Sequence, residues 1–123
     1  MSNNIEFVDV IDLDASMRAA DVDKFLDEHE SDLPEDCFLF EMAKQSRVAL
    51  RKGNIDEMVP IDEFQWCGTS SGFTYEFLVK YVCPKIKGRV EVVFNWEGGE
   101  RSGFICVDGV VHECDVEIVL KPR

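Results

Sequence analysis

The hydrophobic period of this chain changes once, near Phe64, and that change constrains the fold more than any other feature. Before it, apolar residues recur at helical spacing; after it, they alternate. A period of about 3.6 puts a stripe on one side of a helix, whereas a period of two sends successive side chains to opposite faces of a strand. A chain ordered this way is expected to be α+β: a mainly helical part over residues 1–63 packed on an antiparallel β-meander of four or more strands over residues 64–123, in one domain. With 123 residues, 46% hydrophobic content and nine Phe, it is large enough to bury a core without staples.

In the first part, residues 5–11 read as a short strand, too acidic to be buried on both faces and therefore at an edge or partly exposed. The spacing then predicts a helix over residues 22–30. Val22, Phe25, Leu26 and His29 fall at i, i+3, i+4 and i+7, with Asp21 as cap, and Asp14 or Ser16 is placed to cap an earlier turn. A longer helix is expected over residues 35–52, capped by Asp32 with Pro34 in its first position. Lys44, Arg47, Arg51 and Lys52 gather toward its end, where the dipole favours cations, and Gly53 stops it. Residues 54–62 read as a connection broken at Pro60.

In the second part, residues 73–82 alternate and are expected to form a strand, and Gly98-Gly99 and Asp108-Gly109 mark hairpins. Centring the first turn on its glycine pair sets Val92 opposite Ile105 and Phe94 opposite Gly103. Centring the second sets Ile105 opposite His112 and Gly103 opposite Cys114. Together these registers give one apolar face: Val90, Val92, Phe94, Trp96, Ile105, Val107, Val110, His112, Cys114, Val116, Ile118 and Leu120. The opposite face carries Glu91, Glu113, Asp115 and Glu117 with Val93, Phe104, Cys106 and Val111. Val93, Phe104 and Val111 are candidates for a self-association face in a homodimer.

Charge narrows the function. Residues 5–36 hold twelve Asp or Glu against two bases, Arg18 and Lys24, in a chain of net charge -12. Up to Trp66 there are 17 acids and 6 bases; beyond it, 8 acids and 7 bases. Such a field repels nucleic acid and anionic lipid and attracts a basic protein face, so neither direct nucleic-acid binding nor membrane binding is expected. The candidate partner-binding residues are Asp21, Asp23, Asp27, Glu28, Glu30, Asp32, Glu35 and Asp36, set at helical spacings that hold carboxylates several ångströms apart, as phosphates are.

No motif here carries a reaction or calls for a cofactor. Asp9, Asp12 and Asp14 lack the glycine and terminal Glu of a calcium loop, so no metal is expected there. Residues 67–72 are small, but they lack a phosphate-neutralising cation and precede a strand-like run, so they read as a turn. Five cysteines without a C-x-x-C pair suit reduced thiols in the cytoplasm. Residues 1–4 are polar and lack a basic stretch followed by an apolar run, so no secretory signal is expected, and no apolar run is long enough for a membrane span. The expected function is a small acidic, non-enzymatic binding module, such as an inhibitor, immunity protein or anti-defence protein. The alternative is a small-molecule-binding or enzymatic domain with a pocket between sheet and long helix, lined by His112, Cys114, Tyr75, Tyr81 and Trp96.

Overall fold

The computed structural model describes residues 4–68 and 72–115. The chain runs β1 (Ile5–Arg18), α1 (Ala19–His29), β2 (Asp36–Cys37), α2 (Phe38–Arg51), β3 (Met58–Pro60), β4 (Trp66–Cys67), α3 (Gly72–Phe77), β5 (Lys87–Trp96), β6 (Arg101–Val107) and β7 (Val110–Asp115). A π-helical turn, Leu78–Val82, and a 3-10 turn, Cys83–Lys85, extend α3. The fold is α+β, with a five-stranded antiparallel sheet in the order β3-β1-β5-β6-β7 and a small ribbon of β2 and β4.

β1 is twice the expected strand. It pairs with β5 from Ile5↔Trp96 to Ser16↔Lys87, with irregularities between Ile5 and Phe7 and between Val10 and Asp12. Such bulges let a long strand keep its partner while it twists. On its other side β3 pairs only with residues 16–18, so much of β1 is an edge of the sheet. Asp9, Asp12 and Asp14 stud that edge, where like charges discourage edge-to-edge association. Asp14 and Ser16 therefore lie in a strand and cap no helix. α1 begins at Ala19, its N-cap Arg18 makes no side-chain capping bond, and Asp21 lies in the first turn.

Two other helix boundaries differ from expectation for related reasons. α2 starts at Phe38 because Asp36 and Cys37 pair with Cys67 and Trp66, which leaves Asp32 and Pro34 ahead of the helix. Residues 73–82 are helical, not extended. Both periods fit that apolar run. The helical one wins because Leu78 and Val82 are fully buried, with Tyr75 and Val79 partly buried beside them, at i, i+3, i+4 and i+7 from Tyr75.

The hairpin registers split. β6 and β7 pair as expected, Val107↔Val110 through Gly103↔Cys114, around a turn whose Asp108 and Gly109 both have positive φ (47° and 84°). β5 and β6 are one residue out: Val92 faces Phe104 and Val90 faces Cys106. The loop holds three residues, not two, because Trp96 N–H donates to the Glu100 carbonyl at 2.9 Å. One residue of slip turns β6 over. Phe104 and Cys106 enter the core at 1% and 0% exposure, and Ile105 and Val107 point outward. Of the expected apolar face, Val116, Ile118 and Leu120 lie outside the described residues.

An aromatic chain joins the helical layer to the sheet. Phe38 stacks on Phe64 at 4.5 Å, Phe64 meets Phe104 edge-on at 6.0 Å, and Phe104 contacts Phe94 at 5.6 Å. Tyr75 closes the far side against Phe94 at 5.5 Å. Each such pair adds about 0.5–1.5 kcal/mol beyond its burial.

Candidate partner-binding surface

Helical geometry sorts the carboxylates of α1. Val22, Phe25 and Leu26 are buried, and Asp27, Glu28 and Glu30 project to solvent with Asp23 half-buried beside them. Asp21 is different. It is 9% exposed, and Arg18 grips both its oxygens: Nε donates to Oδ2 at 3.0 Å and Nη2 to Oδ1 at 3.3 Å. A further Arg18 nitrogen, Nη1, donates to Asp56 Oδ1 at 3.0 Å, and these bonds, Asp21 first, raise the guanidinium pKa. Asp21 is thus neutralised within the protein and drops out of the surface.

The rest of the acidic set stays outside. Asp32, Glu35 and Asp36 are exposed on the connection from α1 to α2. Among the described residues, Asp23, Asp27, Glu30, Glu35 and Asp36 have no cation within 4.0 Å. Glu28 and Asp32 flank only His29, at 3.8 and 3.9 Å, and its ring lies 4.6 Å from that of Phe77. On the sheet two carboxylates of β1 are matched instead. Arg89 pairs with Asp12 at 3.0 Å and Glu91 at 3.2 Å, and Asn95 donates to Asp9 at 3.0 Å.

The pocket expected around His112 does not assemble. His112 and Cys114 are exposed on the outer face of the sheet. Tyr75 and Trp96 lie on the covered side, 5.7 Å apart, where Trp96 Nε1 donates to Ser102 Oγ at 2.9 Å. Tyr81 is 58% exposed beside Phe77. The register slip separates these groups. Burial, then the nearby Glu113 charge, pushes the Tyr75 phenol up to about 12.

The slip also divides the expected self-association set. Phe104 is buried, Val111 packs against the core, and Val93 stays on the outer face. That face does carry exposed Ile11, Val107 and Val110. Of the cysteines, Cys114 is exposed and the others are buried free thiols. Burial pushes the Cys37 thiol up to about 12, and a hydrogen bond to Cys106, followed by burial, raises Cys83.

One feature escaped sequence reasoning: a furrow between α2 and β3, lined by Phe38, Met42, Val48, Met58 and Pro60, with acidic groups along it. Reading residues 54–62 as a bare connection hid it. The available signal was Glu41, Lys44, Gln45 and Val48 at i, i+3, i+4 and i+7, a second flank of α2 that the core does not claim.

Among the described residues, no helix is long and apolar enough to cross a membrane. No protein-family model matches the chain, and no curated protein or solved structure matches it either.

Proposed function

We propose that this chain is a small acidic protein-binding module that docks on a basic partner through Asp23, Asp27, Glu28, Glu30, Asp32, Glu35 and Asp36. The observation that carries this reading is the contrast within one helix: Asp21 is matched by Arg18, while the neighbouring carboxylates have no Lys or Arg within 4.0 Å among the described residues. Unmatched charge of one sign on a rigid element raises the encounter rate with an opposite surface and disfavours like-charged competitors. Occupying the basic site of a nuclease or another nucleic-acid-binding protein is a role such a surface suits, as an inhibitor, immunity or anti-defence protein would. The free thiols suit a reducing compartment such as the cytoplasm.

The test is affinity capture from a lysate of the source organism at low and high salt, beside a variant carrying Asp23→Lys, Asp27→Lys, Glu28→Lys and Glu30→Lys. A basic protein retained in near-stoichiometric amount by the native chain, weakened by salt and lost by the variant, supports the reading. Equal background on both proteins contradicts it.

A further inference from the structure

We infer that the furrow between α2 and β3 is a second docking site, shaped for a cationic amphipathic helix supplied by another protein. It consists of two adjoining depressions, of about 350 and 470 Å³, that share Lys44, Gln45 and Pro60. Phe38, Met42 and Val59 are buried beneath it, and the apolar surface it presents is Pro60 with Val48 and Met58, 40% and 39% exposed toward one end. Methionine side chains adapt to the shape of an incoming apolar group, a property that recurs in grooves that receive helices.

Charge selects the occupant. Glu41, Glu57, Asp62 and Glu63 line the channel, all exposed, against a single lysine, Lys44. Among the described residues none of the four has an ion-pair partner within 4.0 Å. An apolar strip bordered by unmatched carboxylates complements a helix with leucine-like anchors on one face and Lys or Arg flanking them. A second copy of this chain, at net charge -12, is repelled by the same field. Addition of an extended strand is disfavoured too. β3 is three residues long and ends in Pro60, which has no N–H to offer a partner.

No residue is shared between this furrow and the acidic surface proposed above: Glu41, Lys44, Gln45 and Val48 share one flank of α2, and the carboxylates of that surface lie on α1 and on the segment that follows it. One partner could engage both surfaces, but neither inference needs the other.

The experiment is an amide-shift NMR titration of the full chain at near-physiological salt, where exposed charges more than about 8 Å apart are largely screened. The probe is a helical leucine–lysine peptide of about four turns, and its control has the same composition in scrambled order. The expected result is saturable binding of the helical peptide alone, with shifts concentrated in residues 38–48 and 57–63. The double variant Val48→Asp, Met58→Asp should weaken it about tenfold or more. Both positions are already partly exposed, and Glu57→Gln with Glu63→Gln gives a second variant that leaves the floor intact and should weaken binding less. The four-lysine α1 variant should bind the peptide with affinity within about threefold of the native chain, which separates this site from the function proposed above. Equal binding of the scrambled peptide, shifts centred on α1 or on the outer sheet face, or an affinity unchanged by both groove variants would overturn the inference. So would concentration-dependent self-association that Val48→Asp abolishes.

Discussion

The two faces of the five-stranded sheet differ by one residue of register and have opposite fates. On the covered face Val90, Val92, Phe94, Phe104 and Cys106 are at most 1% exposed beneath the helical layer. On the outer face Val107 and Val110 stand 38% and 59% exposed beside the ion pairs of Arg89. Both faces are rich in β-branched residues, so hydrophobicity does not separate them. What separates them is where Tyr75 of α3 and Phe64 of the segment between β3 and β4 find partners. α1 repeats the division on a smaller scale, with Asp21 turned in and matched and the other carboxylates turned out and unmatched. Burial follows contact with the layer above the sheet, and on α1 the carboxylate that turns inward is the one the chain matches with its own arginine.

The sharpest way to break this comparison is to truncate one residue on each face. Phe104→Ala should cost about 3–5 kcal/mol, as large aromatic truncations in a core do, and Ile105→Ala less than about 1 kcal/mol, both read by urea denaturation. Equal losses, or a larger loss at Ile105, would restore the register expected from a two-residue turn. A smaller effect is expected at the turn that holds β7. Gly109 has φ of 84°, and a Cβ placed there would lie 2.6 Å from the Pro84 carbonyl oxygen. Gly109→Ala should therefore cost about 1–3 kcal/mol in the same assay.

The protonation of inward groups sharpens the contrast further. Cys37 and Tyr75 are pushed up to about 12 in the folded chain from ordinary values of 9.0 and 10.0. Between those limits the unfolded chain releases protons that the folded chain retains, so stability is whole below about pH 9 and falls as pH rises toward 12. Denaturation midpoints measured across that window should decline, and replacing Cys37 by Ala should reduce the slope. Thiol labelling reads the same division. Cys114 should react with a disulfide reagent in the native protein, and the four buried thiols only after unfolding. The smallest stability change is expected from the four-lysine variant of α1, within about 1 kcal/mol, because three of its four positions are exposed and none is paired with a Lys or Arg among the described residues.

How much of this was legible in the sequence depended on whether one period or two fitted a segment. The α+β class, the apolar seam of α1 and the β6–β7 hairpin could be read because Val22, Phe25 and Leu26 fit only a helix and Asp108-Gly109 fits a two-residue turn. Residues 73–82 fitted both periods, and tertiary burial of Leu78 and Val82 decided between them. Gly98-Gly99 allowed a two- or three-residue loop, and that single ambiguity displaced Phe104, His112 and Cys114 from their expected faces. The acidic surface was legible as a list of residues. Its one internal exception was not, because the Arg18 grip on Asp21 depends on where β1 gives way to α1.

The measurement that bears most directly on the central claim is the association rate of the basic partner retained in affinity capture, followed against salt for the native chain and for the four-lysine variant. A rate that falls steeply with salt for the native chain, and is slow and nearly flat for the variant, is the predicted result. Equal rates with equal salt dependence would contradict the account and leave the carboxylates of α1 as solvation alone.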